Sequence, residues 1–330
     1  MKSINHDCLA CGAPLIPGQG SRYPYLYGRS LGIRWIVVCG SCGLAQADVL
    51  PRSDVIRDYY SLSITQDILL GLSDEEIKRH ARPHRFDPIL TYITKKAGLS
   101  LNAPLRFLDV GAGNGRLINA ARTHTNWRNY ALEPNPTKIQ TMLRLGIEAV
   151  EGEIEHKYSS FPSSGMSIVT MTRVLEHLLS PRQAIQRVKN LMAPGGVLWI
   201  DVPNCTDAYF CSRTSDNAPH LTFWTSDSLE AFGRQEGFDV LACGSFGDPI
   251  PLGLDLRSRF KSSLKHGLAW SLPTLLLNWI RKPVSSRGGT PTCERVLTSD
   301  YLGRVAEVPL YDGDWTRTKL FILLSRVMDD

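Results

Sequence analysis

Short, mostly apolar runs alternate with polar segments through the middle of the chain. They cover residues 107–110, 130–132, 168–171 and 197–200. Apolar runs of this length are typical of strands in a parallel sheet that is buried on both faces. The pattern therefore predicts an α/β fold in which the strand ends meet at one edge of the sheet.

The first run breaks into alternating glycines at Gly111, Gly113 and Gly115. Glycine permits a tight turn and a close approach of the backbone to a ligand, so the segment indicates a loop for a nucleotide-containing cofactor. A dinucleotide-binding loop has its third glycine three residues after the second, where a pyrophosphate meets the helix N-terminus. Here the gap is two residues, which does not match that fingerprint.

Acidic residues accompany three successive predicted strands. Asp109 lies in the first, Glu133 follows the second, and Glu153 follows the third, which is predicted over residues 147–150. Because an α/β fold brings these strand ends to one rim, a carboxylate at Glu133 can accept hydrogen bonds from both hydroxyls of a ribose.

Two later segments complete the series. Residues 174–178 read Val-Leu-Glu-His-Leu directly after the fourth predicted strand, and Pro194-Gly195-Gly196 leads into the fifth. In this order and spacing the chain resembles the class I S-adenosylmethionine-dependent methyltransferases, whose cofactor carries no phosphate. The resemblance implies a Rossmann-like sheet of seven strands; an α/β domain for another ligand is the alternative.

The resemblance also implies S-adenosylmethionine as the cofactor and assigns the contacts. The expected cofactor-binding residues are Asp109, Gly111, Ala112, Gly113, Asn114, Gly115, Glu133, Pro134, Glu153, Ile154 and Thr172. In the family, the acidic and apolar residues after the third strand contact the adenine.

The last two strands are predicted over residues 238–243 and 318–325. The family closes its sheet with an antiparallel hairpin of these two strands. We therefore expect residues 247–316 to be an insertion within the sheet and not a separate tail.

Four cysteines near the N-terminus form two Cys-x-x-Cys-Gly pairs, Cys8 with Cys11 and Cys39 with Cys42. Together they supply the four thiolates of a closed, structural zinc site. The alternating residues 34–38 predict a short strand, so the segment indicates a zinc ribbon. An iron–sulfur cluster has the same ligands, but pairs about 30 residues apart suit a zinc ribbon better.

The predicted organisation has three parts. They are a zinc ribbon in residues 1–50, a helical connector in 51–98 and a methyltransferase core in 99–330. Helices are expected over residues 73–80 and 86–97. The connector resembles the N-terminal region of bacterial zinc-ribbon methyltransferases that act on sugars, glycans and small metabolites, in which these helices cover the cofactor. Tyr59 and Tyr60 belong to that cover or only pack between domains.

The composition is that of a soluble enzyme: 330 residues, of which 43% are hydrophobic and 21% charged, with a net charge of +5. The N-terminus lacks the apolar core of a signal peptide, and no apolar run reaches the roughly 20 residues that cross a bilayer. We therefore expect a cytoplasmic location with reduced cysteines.

Basic charge is concentrated in residues 254–287, where seven Lys or Arg and one acidic residue surround the apolar stretch 268–280. One interpretation is a surface that contacts a membrane peripherally or receives an anionic acceptor. The other is a helical lid or dimer face with solvated charges. Neither interpretation fixes an oligomeric state.

Methyl transfer requires an aligned nucleophile and a base for its proton. The first candidate base is His220, just before a helix predicted to begin near Ser226. This segment resembles one in sugar C-methyltransferases, but Asn217 and Pro219 stand where that pattern has Tyr and Glu. The difference favours methylation of a hydroxyl. An equal alternative is that His220 bonds the helix or a cofactor carboxylate.

His177 is the second candidate base, from its motif position after the fourth strand. The adjacent Glu176 either orients a ligand or caps the loop. These observations predict an S-adenosylmethionine-dependent methyltransferase, with O-methylation of a small molecule, sugar or glycan ahead of other acceptors.

Two other functions are open. The first is an RNA methyltransferase, but ribosomal RNA enzymes with a zinc module have a histidine ligand and a Lys-Gly-Tyr run that this chain lacks, and the ribbon segment is not rich in lysine. Nucleic acid is therefore not the expected partner. The second is a non-catalytic scaffold or sensor, which would keep the same cofactor residues.

Overall fold

A computed structural model describes residues 3–4, 7–16, 20–23, 29–61, 88–156, 165–205, 219–249, 293–299, 305–312 and 317–327. The predicted helix over 73–80 and the basic segment 254–287 lie outside these residues. The strands are β1 (Ser3–Ile4), β2 (Gly20–Arg22), β3 (Trp35–Val38), β4 (Ala45–Ala47), β5 (Val49–Leu50), β6 (Arg106–Val110), β7 (Arg128–Glu133), β8 (Ala149–Glu151), β9 (Met166–Thr172), β10 (Met192–Pro203), β11 (Thr222–Phe223), β12 (Phe238–Pro249), β13 (Cys293–Ser299), β14 (Val305–Asp312) and β15 (Arg317–Arg326). The helices are α1 (Ser53–Ser61), α2 (Pro88–Ala97), α3 (Arg116–His124), α4 (Pro136–Arg144), α5 (Pro181–Leu191) and α6 (Ser226–Gln235), with a 3₁₀ turn at Leu175–His177.

The main sheet has the order β13-β14-β12-β15-β10-β9-β6-β7-β8. The five strands from β10 to β8 are parallel to their neighbours, and β15 is antiparallel to both β10 and β12. All seven predicted strands are present, and the predicted hairpin of the last two is confirmed. The insertion between them contributes β13 and β14, which extend the sheet to nine strands.

Neighbouring residues of the central strands point to opposite faces of the sheet. Phe107 packs in one apolar cluster and Leu108 in another, and both are fully buried. Because both faces are covered, these strands are apolar at almost every position, which explains the runs seen in the sequence.

Two helices, α4 and α6, begin at capping residues. Asn135 accepts hydrogen bonds from the N–H groups of Thr137 and Lys138, and a proline follows it at the first position of α4. Thr225 and Ser228 form a reciprocal capping box at the start of α6, which begins at Ser226 as predicted.

The N-terminal segment, residues 7–16, 20–23 and 29–50, is called the ribbon below. Its predicted strand is β3, which pairs with β2 and β4. The fourth strand of this small sheet is β11, which comes from the core of the chain. Cys8 and Cys39 pack in the same apolar cluster as Leu178 and Trp224. The ribbon therefore lies directly on the core, while the domain boundaries at residues 50 and 98 stay predictions.

No helix in the part of the chain that the structure describes is long and apolar enough to cross a membrane.

Candidate functional site

A cavity of about 190 Å³ lies at the ends of the central parallel strands. Its walls come from the loops after β6, β7, β8 and β9, from α1, and from the 3₁₀ turn. Strand ends of an α/β sheet are the usual place for a ligand in this fold, because the loops that follow them converge there.

Residues 111–115, called the glycine loop below, form one wall of the cavity through their backbone. Gly111 has a φ of +69°, and a Cβ there would lie 2.5 Å from Cγ2 of Val174, so no other residue fits without a shift. Gly113 lines the cavity, and a Cβ there would meet nothing within 4 Å. A bound molecule can thus approach the backbone of Gly113 closely.

Glu133 holds this loop in place. Its buried carboxylate accepts hydrogen bonds from the N–H of Gly113 at 2.8 Å and of Asn135 at 3.1 Å. A carboxylate has about four acceptor positions, so the group that orders the loop also has capacity for ribose hydroxyls. Asp109 is likewise buried and accepts a 2.6 Å hydrogen bond from the hydroxyl of Thr170, which joins β6 to β9.

Six of the eleven expected cofactor residues line the cavity, namely Gly111, Gly113, Glu133, Pro134, Glu153 and Ile154. The other five belong to the same loop or strand ends but not to the lining: Asp109, Ala112, Asn114, Gly115 and Thr172. The part of all eleven residues in cofactor binding stays a prediction.

The loop after β8 also contributes Glu155, which the sequence patterns did not assign. Burial raises the pKa of Glu155 to about 7. Its carboxylate accepts a hydrogen bond from the N–H of Ser180, at the start of α5. Burial raises the pKa of Glu153 as well, although His156 lies 3.4 Å from its carboxylate.

Glu176, His177 and His220, the three candidate catalytic residues, come together in one cluster with ligand atoms within 4.8 Å of one another. His177 lines the cavity, whereas His220 is 2% exposed and lies outside the lining. The two imidazole rings are 4.7 Å apart, so His220 backs His177 from the protein side. Burial lowers the pKa of His220 well below its usual value, and the charges of His177 and Arg173 act in the same direction.

The protonation pattern of His177 follows from its partners. Nδ1 lies 3.2 Å from the carbonyl oxygen of Pro219, which can only accept, so Nδ1 is assigned the proton. Nε2 is then the acceptor nitrogen of the neutral ring, 3.7 Å from a carboxylate oxygen of Glu176. A carboxylate at this distance stabilises the ring once Nε2 gains a proton.

Two further cavity residues adjoin His177. Arg173 is a non-glycine residue with a φ of +58°, and its Nε donates to the buried Glu176 at 3.2 Å. A strained backbone of this kind at a cavity is a marker of function. The ring of Tyr60, on α1, meets the ring of His177 edge to face at 5.5 Å, and burial raises the pKa of Tyr60. The Tyr-Tyr pair was the only sequence signal for Tyr60, and none marked Arg173.

The donor set of Glu176, His177 and His220 is one that metal ions accept. Glu176 is already paired with the guanidinium of Arg173, and His177 donates to a backbone carbonyl. The pairing of Glu176 with Arg173 disfavours an ion at this cluster, whereas an Nδ1–H bonded to a backbone carbonyl leaves Nε2 of His177 able to accept either a proton or a metal ion.

The four ribbon cysteines form a second cluster. Cys8 Sγ lies 3.5 Å from Cys42 Sγ, and Cys11 Sγ lies 3.6 Å from Cys39 Sγ. Four sulfurs bound to zinc at about 2.3 Å are about 3.8 Å apart, so the cluster has nearly the spacing that zinc requires. The contact with the Cys42 thiol lowers the pKa of Cys8 to about 5, which favours a thiolate at neutral pH.

The parallel sheet with an antiparallel final strand, the glycine loop and the acidic strand ends define a class I methyltransferase domain of the type that uses S-adenosylmethionine. Residues 79–242, about half of the chain, match the family model described as a methyltransferase domain. This part of the chain belongs to that family.

Curated relatives match a shorter part of the chain. The chain is 29% identical to the ubiquinone biosynthesis O-methyltransferase of Cronobacter sakazakii over 127 residues, which are 37% of this chain and 51% of that protein. The protein of the same name from Xanthomonas oryzae pv. oryzae is 26% identical over 134 residues, 38% of this chain and 54% of that protein. The chain thus spans about half the length of the curated relatives it matches.

Among solved structures, a SAM-dependent methyltransferase from Archaeoglobus fulgidus superposes with a TM-score of 0.45 at 16% identity, covering 82% of this chain and 100% of that chain.

Proposed function

We propose that the chain is an S-adenosylmethionine-dependent O-methyltransferase whose acceptor, a small molecule, sugar or glycan, binds in the cavity beside His177. The observation that carries this proposal is the position of an imidazole with an acceptor nitrogen in the wall of a cavity formed by the cofactor loops. The name of the curated relatives, O-methyltransferase, supports a hydroxyl acceptor.

The cofactor side consists of the glycine loop, Glu133, and the loop after β8. Glu133 accepts the hydroxyl hydrogens of the ribose while it holds the N–H of Gly113. Glu153 and Ile154 contact the adenine. When bound, S-adenosylmethionine supplies a methyl group on a positively charged sulfur, which needs only an aligned nucleophile.

The acceptor side has His177 as the base that contacts the acceptor, in preference to His220. Its Nδ1–H, fixed by the carbonyl of Pro219, keeps Nε2 ready to take the hydroxyl proton. Glu176 then stabilises the imidazolium. His220 supports the ring from behind and stays neutral because burial disfavours its charge.

Arg173 and Tyr60 border the same part of the cavity. Arg173 is held by Glu176, and its guanidinium is suited to orient an acceptor oxygen as negative charge develops on it. A small acceptor with an acidic hydroxyl fits this arrangement.

The ribbon cysteines bind one structural zinc in this proposal. The spacing of their sulfurs supports it, and a four-thiolate site leaves no open position for catalysis. Four clustered thiols stay reduced in the cytoplasm, where we place the protein.

The first prediction tests the base. His177→Ala should lower turnover by roughly 10²–10⁴, the range for lost general-base catalysis, with little change in cofactor affinity. Initial rates with labelled S-adenosylmethionine over phenols, sugars, glycans and RNA fragments, together with calorimetric titration of the cofactor, provide the measurement.

His220→Ala is the matched control. Its effect on turnover should be smaller, and added imidazole should restore activity only to His177→Ala, whose vacated space opens to the cavity. A larger loss in His220→Ala would reverse the two roles. Activity on RNA alone would establish the alternative enzyme class, and cofactor binding without activity on any acceptor would favour a scaffold or sensor.

A further inference from the structure

The segment that carries His220 is enclosed between the ribbon and the core. We call residues 219–224 the His220 loop. Within it, β11 pairs with β4 of the ribbon, with Thr222 opposite Gln46 and Phe223 opposite Ala45. On the other side the N–H of Leu221 donates to the carbonyl of Glu176 at 2.7 Å. The loop is therefore bonded to both parts of the molecule.

Tyr23 is a ribbon residue whose side chain bonds directly to the His220 loop. It follows β2, is completely buried, and donates a 2.7 Å hydrogen bond from its hydroxyl to the carbonyl oxygen of His220. Its ring meets that of Phe223 edge to face at 6.2 Å. A buried hydroxyl bonded to one carbonyl fixes that peptide unit. Any displacement would break the hydrogen bond and leave two buried polar groups with no water to replace it.

The contact continues to His177. The carbonyl adjoining the one held by Tyr23 belongs to Pro219, and it accepts the hydrogen bond from His177 Nδ1. The ring of His220 packs against the ring of His177 at 4.7 Å. Moving the peptide of His220 therefore moves both the group that fixes the protonation pattern of His177 and the ring that supports it.

Gln46 connects the first cysteine pair to the same strand. It is completely buried on β4, accepts from the N–H of Leu9 at 2.8 Å and donates to the carbonyl of Asp7 at 3.1 Å. The turn that carries Cys8 and Cys11 and the strand that pairs with the His220 loop are thus held as one unit.

We propose that Tyr23 is a positioning residue: the ribbon, through the Tyr23 hydroxyl and β4, holds the His220 loop so that His177 keeps its proton on Nδ1 and its Nε2 toward the acceptor. The ribbon is on this account a structural part of the acceptor site. The role in turnover rests on the proposed function of His177, whereas the effect on the imidazole does not.

Tyr23→Phe tests the proposal because it removes only the hydroxyl. In the full zinc-loaded chain we expect kcat to fall about tenfold, the order of effect produced by a small misplacement of a catalytic group, with the cofactor Kd unchanged. Nitrogen chemical shifts of ¹⁵N-labelled histidine, assigned by comparison with His177→Ala, should show the Nδ1–H form of His177 in the wild type. In Tyr23→Phe they should show a mixture of both neutral forms.

Tyr92→Phe is the matched control. Tyr92 is a buried tyrosine of α2 that packs against Trp199 and Phe321, away from the His220 loop, so its variant should keep the wild-type kcat and histidine spectrum. Phe223→Leu, which removes the ring against Tyr23, should act in the same direction as Tyr23→Phe and serves if that variant is unstable.

The two readouts separate the possible failures. An unchanged His177 spectrum and unchanged kcat in Tyr23→Phe, even with reduced stability, would overturn the positioning role. If the wild type shows no methyl transfer, the proposed function fails, yet the spectra still decide whether the ribbon holds the imidazole.

Discussion

The proposed cofactor side and the proposed acceptor side of the cavity are built in different ways. On the cofactor side, backbone N–H groups and carboxylates at successive strand ends meet across short stretches of chain; Gly113 and Glu133, which bond to each other, are 20 residues apart. On the acceptor side, side chains from separate segments converge, and Tyr23 bonds to the His220 peptide across 197 residues.

This difference has an energetic consequence. The cofactor side depends on the sheet, whose central strands are buried on both faces, so it should withstand damage elsewhere in the chain. The acceptor side depends on the ribbon, which has only a small hydrophobic core of its own. Its stability should therefore come mainly from the bound metal. Perturbing the ribbon should therefore affect turnover far more than cofactor affinity.

The largest effect expected from damage to the ribbon comes from removing the zinc ligands. Cys39→Ser combined with Cys42→Ser should abolish zinc binding, because it removes two of the four ligands. The ribbon then loses the contribution of the metal to its folding, which is about 10 kcal/mol or more for a structural four-thiolate site. Turnover should fall at least about a hundredfold, because the His220 loop loses β4 as its partner. Metal analysis, initial rates and cofactor titration calorimetry measure the three quantities.

Cys243→Ala is the control, since Cys243 is buried in β12 and lies outside the four-cysteine cluster. It should retain one zinc per chain. The double variant should raise the cofactor Kd by much less than it lowers turnover, although α1, which follows the ribbon, supplies Ile56 and Tyr60 to the cavity. Full zinc content in the double variant would show that these cysteines do not form the metal site. Equal losses of cofactor affinity and turnover would show that the two sides of the cavity do not differ in their dependence on the ribbon.

Much of the fold could be predicted because its signals are local. Apolar runs such as residues 107–110 mark strands buried on both faces. The Pro-Gly-Gly segment at 194–196 was predicted to lead into the fifth strand; it lies within the first residues of β10, where the pairing with β9 shifts register. The two strands β13 and β14 were not predicted, because they extend an existing edge of the sheet instead of adding a further repeat of the strand-and-helix pattern. The addition of β11 to the ribbon sheet was likewise missed, since two residues carry no periodicity.

The site divides along the same line. The position of Gly111, Gly113 and Glu133 at the cavity could be predicted because each lies at or just beyond the end of a strand, and a strand end fixes position. His177 and His220 were recognised as candidates, but their contact depends on how the chain between residues 177 and 220 returns to the sheet. Tyr23 had no signal, since nothing in a sequence shows which distant carbonyl a tyrosine will meet.

Glu155 provides a second prediction, on the cofactor side. Burial raises its pKa from 4.5 to about 7, so the folded chain holds this proton more tightly than the unfolded chain. Its stabilising contribution is fully present below pH 4.5 and is lost as the pH rises through 7, by up to about 3 kcal/mol. Glu155→Gln stays neutral and keeps an oxygen for the N–H of Ser180, so this dependence should disappear.

Urea unfolding of the cofactor-free protein at a series of pH values between 4.5 and 8 measures the effect. As the pH rises through this range, the free energy of unfolding of the wild type should fall relative to that of Glu155→Gln. Glu148→Gln, at an exposed position before β8, should follow the wild-type curve. If the free energies of unfolding of wild type and Glu155→Gln change in parallel with pH, Glu155 does not have the raised pKa of a buried carboxyl.

The last prediction concerns Glu133, whose expected effect is smaller than that of removing the zinc ligands, and it sharpens the comparison most directly. Glu133→Gln keeps the shape of the side chain but turns one acceptor oxygen into an NH₂ that faces an N–H donor, of Gly113 or of Asn135. Loss of one charged hydrogen bond should weaken cofactor binding by about 1.5–3 kcal/mol, roughly tenfold or more in Kd. Glu151→Gln, opposite Glu133 on the exposed end of β8, should leave the Kd unchanged. Because the bonds of Glu133 go to Gly113, Asn135 and Lys138 and not directly to His177, Glu176 or Arg173, kcat at saturating cofactor and the acceptor KM should stay near wild type. A fall in kcat with unchanged cofactor affinity would show that the glycine loop and the acceptor side are coupled, and the two sides of the cavity would then have to be treated as one.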